Sequence, residues 1–122
     1  MNKTLIVAGC LSIVIAIVHS VLGERLVVTP LIMQGELLPT LGGSRRFMRR
    51  VIRFGWHLTS VAFIGLGALL ISMSKEPMQY VTALEIISVT FGVSSLLVLI
   101  GSRGKHFAWP VFAVIAALTW FF

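Results

Sequence analysis

The sequence predicts an all-α integral membrane protein, a four-transmembrane-helix bundle in which residues 1–122 form a single domain. Three observations predict it. Hydrophobic residues make up 57% of the chain and charged residues 11%, and the mean hydropathy is +1.01; a water-facing domain of this size needs more polar surface than that. The apolar residues fall in four blocks, 5–22, 51–73, 80–100 and 107–122, each at or near the length that crosses roughly 30 Å of hydrocarbon as a helix. The blocks are also far longer than the roughly 10 alternating residues of a membrane β-strand.

The first block, 5–22, closes on His19, Ser20, Glu24 and Arg25. It lacks an A-x-A-like cleavage site and exceeds a signal-peptide core in length, so it is expected to be retained. The "VAGC" before Cys10 has its apolar run on the wrong side for a lipoprotein box. A single cysteine excludes an intrachain disulfide. Segment 24–43 is mostly apolar and is expected to lie along the membrane interface as a short helix or re-entrant turn, broken at Pro30 and Pro39. Ser44 is placed to cap a helix that starts in water with "RRFMRRVIRF" and runs into the second span, 51–73. The third span is 80–100. The fourth, 107–122, rises only about 24 Å, but Pro110 sits in its first turn and Trp109, Trp120, Phe121 and Phe122 supply interfacial anchors.

Ten Lys and Arg against four Glu give a net charge of +6. Their placement argues against nucleic acid as a partner. Arg25, Arg45, Arg46, Arg49, Arg50 and Arg53 lie between the first two spans, Arg103 and Lys105 between the last two, and only Lys3 and Lys75 on the other side. The positive-inside rule then predicts a bacterial inner-membrane protein with both termini outside and segments 23–50 and 101–106 cytoplasmic. The same eight-against-two bias argues against dual topology. Arg45, Arg46, Arg49 and Arg50 are expected to meet lipid phosphate, each cation near an anionic leaflet contributing about 1 kcal/mol. The same cluster also serves as a plain topology anchor.

Polar residues inside the spans nominate a site. Thr4, Ala8, Ser12, Ala16, His19 and Gly23 share one face of the first helix, and Arg53, His57, Ser60 and Gly67 a face of the second. Antiparallel neighbours then bring His19 and His57 to the same depth, about 5 to 10 Å inside the cytoplasmic leaflet. His106 enters from the same side, and Glu24 and Glu36 are the carboxylates within reach. Facing imidazoles ligate haem iron, with Arg53 or Arg103 on a propionate; imidazoles with Glu24 hold a transition metal; and such a group passes protons. The competing reading is that both histidines hydrogen-bond to Ser20, Ser60 or carbonyls and lock two helices together. No H-x-x-x-H, C-x-x-C or E-x-x-H spacing decides among these. In the third span Glu85, Ser88, Gly92 and Ser95 form a stripe that reads either as a proton or ion pathway or as a packing face.

"HSVLGERL" and "RFGWHLTS" together resemble a motif set of small four-span bacterial inner-membrane proteins to which no activity is attached. The resemblance extends from His19 through Ser60 and implies Glu24, Trp56 and His57 as site residues beside His19. No phosphate loop, nucleophile elbow or acid pair is present, and no segment outside the spans is long enough to carry a soluble active site. The function expected is therefore a membrane protein with a His/Glu/Arg site that binds haem or a metal. The alternatives are a small proton-linked transporter using Glu85, or an accessory subunit of a membrane complex. Membrane lipids, and a second copy or a larger complex, are the partners expected.

Overall fold

The computed structural model describes residues 1–122 apart from Glu76 and Met78, and every regular element among them is helical. Three helices are long and apolar enough to cross a membrane, Lys3–Ile32, Arg45–Met73 and Tyr80–Ser102, and a shorter apolar helix, Ala108–Trp120, follows them.

Helix α1 (Lys3–Gly23) starts at Asn2, whose side-chain oxygen accepts from the N–H groups of Thr4 and Leu5. It does not stop near Leu22. A wide π turn, Glu24–Val28, continues it into α2 (Thr29–Ile32), so the expected break at Gly23 and the separate interfacial segment 24–43 give way to one helix ending at Ile32. Pro30 accounts for the wide turn. A proline brings no N–H and crowds the carbonyl one turn back, and moving to i→i−5 pairing relieves that conflict. The N–H of Thr29 accordingly donates to the Glu24 carbonyl.

The connection to the next helix is short and turn-rich, with Gly35, Gly42 and Gly43 at positive φ. Arg45 ties it down by donating from Nε to the carbonyl of the buried Leu38, at 3.2 Å. Ser44 caps α3 (Arg45–Met73) through the N–H of Phe47, at 3.1 Å, as its sequence position predicts. Helix α4 (Tyr80–Ser102) ends on Arg103, which takes a left-handed conformation at φ 53°, and on Gly104, whose N–H donates to the Leu99 carbonyl at 2.8 Å. The expected span 107–122 shortens to α5 (Ala108–Trp120), whose 13 residues rise about 20 Å. Phe121 and Phe122 are 83% and 84% exposed, so little packing holds them in a further helical turn. Pro110 does sit in the first turn of α5, where a missing N–H costs nothing.

Neighbouring helices run antiparallel, α1 on α3, α3 on α4 and α4 on α5, in an open row without a comparable contact from α1 to α5. Gly9 and Gly67 bring the backbones of α1 and α3 together. A Cβ added at Gly9 would meet the Gly67 carbonyl at 2.6 Å, and one at Gly67 would meet the Gly9 carbonyl at 2.8 Å. Small residues let helices in lipid gain dispersion contact where no hydrophobic drive separates protein from solvent. On α1 the buried seam is Gly9, Ala16 and Gly23, one step per two turns, rather than the broader stripe through Thr4 and Ala8. The α4–α5 seam is fixed by Ser88 and Ser95, whose hydroxyls donate to the carbonyls of Ala116 and Trp109, each at 2.7 Å.

The Gly9–Gly67 crossing carries a stability prediction. Gly67→Val forces two backbones apart and is expected to cost about 1–3 kcal/mol, the usual range for overpacking. Gly92→Ala, whose added Cβ would rest 4.0 Å from that of Ala116, is expected to melt as wild type does. Thermal melts followed by circular dichroism in detergent distinguish the two.

Candidate functional site

The π turn aims Glu24 at α3, and its carboxylate is shared. One oxygen accepts from Nε of Arg53 at 2.9 Å and from the Thr29 hydroxyl at 3.3 Å; the other accepts from Nε2 of His57 at 2.8 Å. Arg53 and His57 lie four residues apart, on one face of α3, which is why a single carboxylate reaches both. The other ring nitrogen of His57, Nδ1, lies 3.0 Å from the Ser20 hydroxyl, and Ser20 lies 2.7 Å from Ser60 across the same interface. Glu24, His57, Ser20 and Ser60 thus form one hydrogen-bonded chain between α1 and α3.

The heavy atoms of this chain suit two proton arrangements. With Ser20 donating to Ser60, both ring nitrogens of His57 donate and the imidazole is a cation; with Ser60 donating to Ser20, Nδ1 accepts and the ring is neutral. The unit can therefore lock two helices or relay a proton without moving its atoms.

His19 takes a different partner. Its ring stacks on Trp56, with centroids 4.5 Å apart and planes 4° from parallel, while the indole N–H donates to the His19 carbonyl at 2.9 Å. Gly23 makes room for that indole, since a Cβ there would overlap Trp56. The two imidazoles expected to share a ligand or a hydrogen bond are thus held by separate partners, one by Trp56 and one by Ser20 and Glu24. The physical reason is helical rotation: Ser20, not His19, points at His57, and consecutive residues lie about 100° apart on a helix. His106 does not join them. It packs edge-on against Phe54 at 5.3 Å and beside Phe107 at 4.8 Å, and its Nδ1 accepts from the N–H of Ala108. Among the described residues no group of three or more His, Cys, Asp and Glu side chains is arranged to hold a metal.

Beside this junction a groove of about 530 Å³ opens between α3 and α4. Arg46, Arg49, Arg50 and Arg53 line it from α3, Arg103 from the end of α4, and His57 lies along it. Its apolar wall is Phe54, Leu97 and Ile100, with Ile32 at the end of α2. Among the described residues the ion pairs are Arg53 with Glu24 and His57 with Glu24. Arg50 lies within electrostatic reach of both Arg46 and Arg103, and Nε of Arg49 is buried without a hydrogen-bond partner. Arg45, grouped with these arginines by sequence, instead holds Leu38.

Glu85 lies elsewhere. It is exposed, at the edge of a cavity of about 340 Å³ whose other walls are Val61, Ile64 and Val89 among apolar neighbours. Ser88 and Ser95 give their hydroxyls to α5, which is the packing alternative for that stripe. As a site residue Arg103 enters the sequence reading through the haem alternative, beside its place among the cytoplasmic cations, and Thr29 does not enter it. The signal for Arg103 was its charge beside Gly104; none marked Thr29, because its contact exists only through the π turn.

Compared with protein-family models, curated proteins and solved structures, the chain matches none of them.

The shared carboxylate predicts non-additivity. Glu24→Gln and His57→Gln are each expected to destabilise the protein by about 1–3 kcal/mol, the range for hydrogen bonds to charged groups. The double variant is expected to fall short of their sum by about 1 kcal/mol or more, measured as a double-mutant cycle on denaturant unfolding. Ser20→Ala, which removes the hydroxyl contacts to Ser60 and to Nδ1 of His57, is expected to cost about 1 kcal/mol, since interhelical hydrogen bonds in lipid average about 0.6 kcal/mol each.

Proposed function

We propose that this chain is a four-span inner-membrane protein that binds an anionic amphiphile, a molecule with a phosphate head and hydrocarbon chains, in the groove between α3 and α4. The observation that carries this reading is the convergence of Arg46, Arg49, Arg50 and Arg103 on a groove whose other wall is Leu97 and Ile100. Guanidinium groups match phosphate oxygens in bidentate geometry, and hydrocarbon beside them suits an acyl or prenyl chain. The positive end of the α3 dipole adds to the attraction. With the arginine-rich segments cytoplasmic, the groove lies at headgroup depth in the inner leaflet, where basic pockets between helices take anionic lipid heads. The short α5 completes the fourth span with Trp109, Trp120 and the exposed Phe121 and Phe122 at its two ends.

The haem and metal readings draw less support. Both ring nitrogens of His57 are engaged, and ligation at Nε2 would displace Glu24. A pathway from Glu85 to the histidines is also weakly supported: Gly101 faces Phe54, so His57 is level with about Val98, some 20 Å along α4 from Glu85.

The test is ligand-linked stability. In neutral detergent, phosphatidylglycerol is expected to raise the melting temperature where phosphatidylcholine does not. A ligand at a hundredfold its Kd adds about 2.7 kcal/mol to a folded state that binds it. Arg46→Gln with Arg50→Gln is expected to abolish the rise, and an unchanged rise in that pair would place the lipid elsewhere. Orientation is read separately: in a Cys10→Ser background, Lys105→Cys is expected to react with a thiol reagent applied from the cytoplasmic side and Asn2→Cys from the outside.

A further inference from the structure

We infer that the groove selects a lipid with two phosphodiester groups joined by a short bridge over lipids with one. This rests on the anionic-amphiphile reading and narrows it. Glu24 already neutralises Arg53, which leaves the four guanidinium groups of Arg46, Arg49, Arg50 and Arg103 facing the groove without a carboxylate among the described residues. One phosphodiester carries a single negative charge and leaves three of them unmatched.

The arginines also divide by position. Arg46 and Arg50 stand one turn apart on α3, with stems about 6 Å from each other. Arg49 lies beside the first turn, and its buried Nε lacks an acceptor. Arg103 stands across the groove, within electrostatic reach of Arg50. Two phosphate positions follow, one between Arg46 and Arg49 and one between Arg50 and Arg103, separated by about one helical turn. Two phosphodiesters on a three-carbon bridge span a separation of that order, about 6 Å. The acyl chains then run down the Leu97 and Ile100 face of α4, where Ile100 is 74% exposed.

Arg103 supplies an independent observation. It is the one non-glycine residue at positive φ among the described residues, and it occupies the helix-end position that glycine fills without strain. Backbone strain of this kind is concentrated at ligand clamps and switch regions. Here it holds a guanidinium on the α4 side of the groove, opposite the α3 arginines.

Native mass spectrometry of the full chain in neutral detergent tests this, with cardiolipin as the two-phosphate probe, phosphatidylglycerol as the one-phosphate lipid and inorganic pyrophosphate as a chain-free competitor. One cardiolipin per chain is expected, with an affinity at least tenfold above that of phosphatidylglycerol, and pyrophosphate is expected not to displace it at equal concentration. Arg103→Gly relieves the strained backbone and removes the guanidinium. It is expected to melt no lower than wild type and to lose the tenfold preference. Lys105→Gln removes a neighbouring cation outside the groove and is expected to keep it. Equal affinity for cardiolipin and phosphatidylglycerol, or a preference that survives Arg103→Gly, overturns the two-phosphate inference while the anionic-amphiphile reading stands. Displacement by pyrophosphate as effective as by lipid overturns the lipid assignment. Binding of neither lipid above phosphatidylcholine overturns both readings.

Discussion

Glu24 accepts hydrogen bonds from Arg53 and His57 of α3 and from Thr29 at the far end of its own π turn, so the register between the first two long helices is fixed at one carboxylate. A carboxylate partly withdrawn from water is costly unless it is hydrogen-bonded, and three donors meet Glu24. The rest of the interface follows from that register. With Glu24 beside His57, Ser20 falls beside Ser60, Gly23 beneath Trp56 and Gly9 against Gly67, each pair being compatible with a single antiparallel alignment. Slipping α1 by a turn would break the charged contact and the glycine crossing together.

The same carboxylate organises the groove. By holding Arg53 and His57 toward α1, it turns one edge of the arginine cluster into a neutralised floor and leaves Arg46, Arg49, Arg50 and Arg103 as the cationic part. The charged recess is lined from the first turns of α3, and the packing against α1 begins at Arg53 and continues to Gly67. Closely spaced cations repel one another, and in this fold that repulsion is offset at Arg53 by Glu24. Among the described residues, Glu24, at the start of the π turn that continues α1, is the carboxylate that meets the arginine cluster.

Much of the site was legible residue by residue, yet not as a constellation. Glu24, Trp56, His57 and Arg53 do converge at the α1–α3 interface, because residues flanking two consecutive antiparallel helices must lie at one end of the pair. His19 and His106 lie at that end too but face other partners, since depth along a helix follows from counting residues while rotation about its axis depends on packing. The hydroxyls of Ser88 and Ser95 behave as packing groups for a related reason: in lipid a serine that finds a carbonyl on the next helix stays there.

What the sequence by itself determined is the helical class, the Ser44 cap, the Pro110 start and the gathering of arginines at one end of the fold. Each follows from composition or from chemistry within a few residues of the chain. The tertiary structure decided the rest. It carried the first helix past Gly23 to Ile32, because Pro30 can be absorbed by a π turn when the carboxylate that turn presents finds Arg53 and His57 waiting. It paired His57 with Ser20 rather than His19, and it set Arg103 across from Arg50. These contacts join residues about thirty positions apart or more, and their geometry depends on the close glycine approaches that bring helix backbones together, which no local pattern encodes.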